Sequence, residues 1–514
     1  MHHEITTLLT LLMIATSVAM LVRYINLPYT VMLVLGGLLL GLLHYLPEVQ
    51  MSPEVVMTIF LPILLFEAAI NLEYSHLRSD LKPILTFAVP GVLISLLITG
   101  ACMHYGAGFP WAIALLFGSL IVATDPVSVL AIFKKLGVPP RLTALVEGES
   151  LFNDGTAVVA FQIVLAMVVT GNFSVMASVQ KFLFVCFGGL ATGLILSYAA
   201  IVLLEKFDDH LLELMITTVL AYSAYLVAEH FHVSGVIAVV SAGIMMGNLG
   251  WAKAMTPTTR VAISTFWEFA AFIINSLIFL LIGLQIHLEY LVEFLPTIGI
   301  GIVALFAGRM LSIYPLAGLL NVMNAKIPFK WTHILVWGNL KGALSMALVM
   351  SLPENVPYRR ELLITIFGVV LFSLLVQGVT MGRFLGFLGI GKKNEIVEAF
   401  EAQRGTLLGL RSGLSSLEQM YAQGKVGATL YQEKKSTYAA SIEAAENTIT
   451  AMMNSHKELA TLQSNSVRRH LLIAQKSSYR EAFRSGLLSE STAHDLIRNV
   501  NNELEAMEQS EEGH

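Results

Sequence analysis

The segment VEGESLFNDGTAVVAF, residues 146–161, sets Glu147, Glu149 and Asp154 among apolar and small residues. A second stretch, IVATDPVSVL (121–130), places Thr124 and Asp125 directly before Pro126, and a third, LPILLFEAAI (61–70), holds Glu67. Ser150 and Asp154 are four apart and so share a helix face, with Asn153 one step round. Hydroxyls, carbonyls and carboxylates are hard oxygen ligands that suit alkali cations. A carboxylate pair in a low-dielectric site also holds a proton when the cation leaves. One site with two mutually exclusive occupants is the physical basis of exchange.

Composition says what surrounds these groups. The chain has 514 residues, 55% hydrophobic and 13% charged, with a net charge of −5 and a mean hydropathy of +0.71. That charged share is about half the 25% usual in soluble domains, and so small a net charge gives no footprint for nucleic acid. Two cysteines, Cys102 and Cys186, allow no disulfide framework or four-ligand metal site and are expected as small buried hydrophobes. The polarity divides the chain into residues 1–390, a membrane domain, and 391–514, a soluble helical tail. A span needs about 20 apolar residues. The runs near 5–22, 30–46, 54–72, 83–103, 111–133, 142–170, 180–204, 211–230, 234–249, 263–288, 297–319, 332–352 and 361–388 predict thirteen. The opening MHHEITT lacks the basic region of a cleavable signal.

Loop charges follow that count. One side's loops carry Arg23, Arg78, Lys82, Lys134, Lys135, Arg141, Lys206, Lys253, Arg260, Lys326 and Lys330, with Lys392 and Lys393 opening the tail; the other side's carry Lys181, Arg359 and Arg360. The positive-inside rule then puts the amino terminus outside and the tail in the cytoplasm. A charge at the centre of a membrane helix costs roughly 2.5–3.5 kcal/mol, so the deep ones are functional candidates. Besides those above they are Arg309 and Lys341, whereas Glu229, Glu268 and Glu147 are expected near span ends. Two charged spans carry helix breakers: Pro126, and Gly338 with Gly342 around Asn339 and Lys341. They are the fifth and twelfth of thirteen. Pairing spans 1–6 with 8–13 makes them equivalent members of inverted repeats, with discontinuous helices crossing near the midplane.

The combination ATDPVSVLAIFKKLGVPPRL and VEGESLFNDGTAVVAF, with LPILLFEAAI and WGNLKGALSMALVMSLP, resembles the monovalent cation/proton antiporters of the sodium/proton exchanger type, in the bacterial NhaP-like branch. The likeness covers roughly residues 5–390. It implies a homodimer in the plasma membrane, each protomer an all-α, thirteen-helix inverted-repeat fold with an elevator-like core. It also implies that Asp154 carries the ion and the proton, and that Thr124, Asp125, Ser150 and Glu67 line the cation site. Asn153 matches the asparagine of electroneutral members, Glu149 and Arg309 match a buried ion pair, and Lys341 stands where arginine is common, opposite Asp125.

The expected activity is exchange of sodium, or lithium as its surrogate, for protons, in a 1:1 electroneutral ratio, with no cofactor and no organic substrate. Potassium/proton exchange is the alternative, and a cation channel a more distant one. An enzyme is disfavoured by the lack of His-Glu-x-x-His, Gly-x-Ser-x-Gly and nucleotide-loop motifs. The tail mixes strong helix formers with nearly balanced charge, which gives no anionic-lipid patch and suits a regulatory or dimer-contacting domain.

Overall fold

In lipid every backbone N–H and C=O needs an internal partner, so an apolar chain must form helices or a closed barrel. The computed structural model is all-helical. It describes residues 2–22, 24, 28–43, 53–72, 74–172, 174–206, 209–251, 254–255, 257–285, 288–323, 325, 327–391, 395–484 and 486–511. Arg23, Lys253, Lys326, Lys392 and Lys393, used above for topology, lie outside the described residues. The chain divides into two compact units, Met1–Lys392 and Lys393–His514.

The first unit begins with α1 (His2–Val22), α2 (Tyr29–Leu42), α3 (Leu61–Asn71), α4 (Tyr74–Thr86) and α5 (Val92–Ala107). Next come α6 (Trp111–Ile121), α7 (Val127–Leu136), α8 (Pro140–Thr170), α9 (Val175–Leu204), α10 (His210–His230), α11 (Gly235–Met245) and α12 (Pro257–Leu284). It closes with α13 (Leu295–Val322), α14 (Phe329–Trp337), α15 (Ala343–Met350), α16 (Arg359–Phe372) and α17 (Val379–Leu388). Four π turns are spliced into this set, at Val56–Phe60, Phe87–Gly91, Met246–Gly250 and Ser373–Gly378. Among the described residues, each of the thirteen apolar runs overlaps one or more helices. Seven helical stretches among the described residues are long and apolar enough to cross a membrane, and five further apolar helices are shorter. The chain is an integral membrane protein.

Local chemistry explains the boundaries. Asp209 caps α10 by accepting from the amides of Leu211 (2.9 Å) and Leu212 (3.2 Å), and these bonds hold its carboxyl below the usual carboxylate range. Pro140 starts α8 where no N–H is needed, and Gly137, at φ 65°, lets the chain leave α7. Hydrophobic burial does not drive helices together in lipid, so close backbone packing must. Gly37 of α2 and Gly283 of α12 supply it, since a Cβ on either would overlap the facing backbone carbonyl, of Leu280 or Val34. The cysteines are free and half-buried rather than fully buried, which costs little because lipid is an apolar solvent.

The second unit holds α18 (Glu395–Ala422), α19 (Ala428–Ser455), α20 (Lys457–Arg484) and α21 (Glu490–Glu511). Cross-pairs Arg411–Glu446 (2.6 Å), Lys435–Glu418 (3.2 Å) and the stacked rings of Tyr421 and Tyr431 (4.1 Å) step in opposite directions along α18 and α19, the register of an antiparallel hairpin. Phe400, Ile449 and Leu459 form its small buried core.

Candidate functional site

Two helices stop inside the apolar body and restart. The first break runs from Val122 to Pro126, between α6 and α7; the second from Gly338 to Gly342, between α14 and α15. Proline removes a ladder donor at the first, and at the second the glycines weaken the helix. The breaks meet, for the Asp125 amide donates to the Leu340 carbonyl at 2.9 Å.

Each break leaves two helix ends exposed, with unpaired N–H groups at one and unpaired C=O groups at the other. Asp125 answers the donors. Its Oδ1 accepts from Val127 N at the start of α7 (3.0 Å), and its other oxygen lies against Gly342, the cap of α15. Lys341 answers the acceptors. Its fully buried ammonium donates to the carbonyls of Val122 (3.3 Å) and Ala123 (3.0 Å) at the end of α6, and to Asn339 Oδ1 (2.9 Å). Negative charge thus sits at helix N-termini and positive charge at a C-terminus, both favourable. The described partners of Lys341 are thus the Val122 and Ala123 carbonyls and Asn339, and none is Asp125. The carbonyl end of α6 holds the ammonium, and Asp125 accepts from the Val127 amide instead.

Gly342 is tied to this packing. A Cβ there would overlap the Asp125 carboxylate. A displacement on the order of 1 Å at a reacting group can cost about 100-fold. Gly342→Ala is expected to lower ion flux at least about tenfold, whereas Gly318→Ala, with open space at its Cβ, leaves it unchanged. A sodium titration of both variants in vesicles checks this.

The long helix α8 runs beside the first break. Ser150 Oγ donates to the Thr124 carbonyl (2.7 Å) and accepts from Thr124 Oγ1 (3.0 Å). Asp154 Oδ1 accepts from the Thr124 amide (3.3 Å). Asn153 Nδ2 donates to Thr124 Oγ1 (3.3 Å) and Glu149 Oε1 (3.2 Å). Thr124, Ser150 and Asn153 are buried, while the carboxylates of Asp125 and Asp154 stay half-buried. Behind them Arg309 of α13 grips Glu149 with two bonds of 2.9 Å and donates a third to the Leu335 carbonyl (3.2 Å). A cavity of about 10 Å³, lined by this pair, Thr124, Ser150 and Asn339 together with apolar residues such as Val146, Ile334 and Leu335, lies here. That is room for one water or a bare ion, far below the roughly 300 Å³ of a small-molecule pocket.

Glu67 stands apart from this group. Its Oε1 accepts from Asn71 Nδ2 (3.1 Å), and Asn71 accepts from Ser264 (3.2 Å); no described hydrogen bond joins it to Thr124, Ser150 or Asp154. Sequence reasoning missed two polar links. Arg141 makes paired bonds to the buried Asp80 (2.9 and 2.8 Å) and reaches the Ala325 carbonyl (3.1 Å). Asp80 sits at a kink in α4, its φ of −109° lying outside the helical range, so periodicity gave no sign of it. Thr30 of α2 and Ser128 of α7 bond hydroxyl to hydroxyl, a contact invisible in single Ser and Thr residues among apolar neighbours.

Known proteins share this architecture. The sequence pattern of the transmembrane sodium/hydrogen exchanger family matches residues 8–386. The Na(+)/H(+) antiporter ApNhaP of Aphanothece halophytica is 39% identical over 475 residues, covering 90% of this chain and 89% of that protein. The Na(+)/H(+) antiporter NhaS2 of Synechocystis sp. is 34% identical over 512 residues, 98% and 94% of the two chains. The solved structure of the sodium proton antiporter MjNhaP1 from Methanocaldococcus jannaschii at pH 8 superposes with a TM-score of 0.64 at 21% identity, covering 75% of this chain and 98% of that one, a likeness of fold.

Proposed function

The chain belongs to the sodium/hydrogen exchanger family, a family of transporters and not of enzymes, and from that premise we propose that it exchanges sodium for protons across the membrane by alternating access. The observation that carries the reading is Asp154, a half-buried carboxylate held against the Thr124 amide where a helix is broken. Thr124, Ser150 and Asp125 add oxygens beside it, and Asn153 fixes the Thr124 hydroxyl. Sodium or a proton occupies Asp154, one excluding the other. Glu67 is the remaining proposed ligand. Lithium serves as a surrogate ion. Potassium is the second reading, because oxygen ligands accept either cation.

The two breaks and their opposed end-charges support thirteen spans, six on each side of α9, in inverted repeats. With the basic loops inside, the amino terminus lies outside and the unit beginning at Lys393 lies in the cytoplasm as a regulatory domain. Two protomers form the working unit in the plasma membrane. Sodium-driven proton flux in proteoliposomes tests the activity, with potassium as the competing substrate. Flux with potassium alone would replace sodium as the substrate.

Charge balance follows from the same residues. One carboxylate exchanging one sodium for one proton moves no net charge, and Asn153 has no proton to give. The sodium/proton balance point is expected to stay put when the membrane potential is changed from zero to a negative value. A shift would overturn electroneutrality, and its loss in Lys341→Arg would trace the extra charge to Lys341.

A further inference from the structure

The π turn at Ser373–Gly378 joins α16 to α17 beside the second break. Three polar side chains leave this stretch at i, i+4 and i+7, and all three bond to the broken helix. Ser373 Oγ accepts from the Lys341 amide at 3.0 Å. Gln377 Nε2 donates to the Trp337 carbonyl at 2.9 Å. Thr380 Oγ1 accepts from the Trp337 indole at 3.1 Å. Ser373 and Gln377 are buried. Gln377 Oε1 has no hydrogen-bond partner among the described residues, so the side-chain amide is committed to that one carbonyl.

The groups they hold are those that a break leaves open. Trp337 is the last residue of α14, and Lys341 lies just before α15. Leu340 between them accepts the Asp125 amide, and Lys341 carries the ammonium that caps α6. Movement of the second break is therefore transmitted to Asp125 and Thr124 without any contact between the π turn and an ion. π turns recur at functional sites, and the polar side chains at and just beyond this one face the second break.

We propose that Ser373, Gln377 and Thr380 are positioning residues that pin the second break, and through it set the affinity of the Thr124–Asp125–Asp154 site for its cation. The proposal rests on the exchange reading above, and its test has an arm that does not. In proteoliposomes, Ser373→Ala and Gln377→Leu are expected to raise the half-saturating sodium concentration about fivefold to tenfold, the worth of one hydrogen bond. Ser373→Thr, which keeps the hydroxyl, restores the unmodified value. Thr365→Val, on α16 but bonded to nothing in the break, leaves it unchanged.

Hydrogen exchange of the peptide spanning 338–343, read on the folded protein in micelles, should quicken about tenfold in Ser373→Ala and stay slow in Thr365→Val. This arm needs no transport. Unmodified protein without sodium- or potassium-driven proton flux would defeat the exchange reading, while the peptide still decides the pinning. Unmodified half-saturation and peptide protection in both Ser373→Ala and Gln377→Leu would overturn the proposal, as would equal changes in Thr365→Val.

Discussion

Asparagine in place of Asp154 is expected to bring sodium-driven proton flux down to that of protein-free vesicles. The change keeps the shape of the side chain and an oxygen that can still accept from the Thr124 amide, now 3.3 Å from Oδ1. It removes the only charge on that side chain and its capacity to carry a proton. The protein should therefore insert and elute from a sizing column as the unmodified protein does. A dye-based proton-flux assay on the purified variant checks this, and flux at the unmodified rate would exclude Asp154 as the carrier. Asp125→Asn is expected to be nearly as damaging, because the Asp125 carboxylate caps the start of α7, packs against Gly342 and is a proposed cation ligand.

The second large effect concerns stability. Glu149 and Arg309 are 2% and 3% exposed and joined by two bonds. Neutralising one leaves the other charge buried and unpaired, at a cost of about 3–5 kcal/mol. Glu149→Gln and Arg309→Gln are each expected to lower the thermal midpoint sharply, and the double variant to regain at least half of the loss. A double-mutant cycle isolates the coupling, and strictly additive losses would show two independent sites. Arg309 also donates to the Leu335 carbonyl of α14, so recovery in the double variant is expected to be incomplete.

Much of this arrangement was legible in the residue pattern, and the exceptions share a cause. Pro126 announces the first break because its missing N–H has a local effect, and Gly338 and Gly342 announce the second. The four-residue step from Ser150 to Asp154 fixes their common face. The partners of Lys341 were not legible. Its position predicts positive charge near the break, opposite Asp125, yet the helix ends offer carbonyl charge that no side-chain letter records. Asp80 was missed for a similar reason, since its pairing with Arg141 depends on a kink and on a residue 61 positions away. Ser373, Gln377 and Thr380 read as ordinary polar members of an apolar span. Only the π turn and the opposite break give them partners. Local chemistry is written in the sequence, whereas backbone partners contributed by another helix depend on how the chain folds back.

The π turns carry an evolutionary consequence. One residue added to an α-helix rotates everything beyond it by about 100°, which in a buried span would turn its packing face toward the wrong neighbours. A π turn confines the extra residue to a local widening, so the helix on either side keeps its own register. At Ser373–Gly378 the confined residue lies where side chains grip the broken helix. An ancestral insertion there could have been absorbed without repacking the span and still have brought a new set of side chains to face the break. Helices interrupted in this way offer a route to new polar contacts without rotating the packed face of the rest of the span.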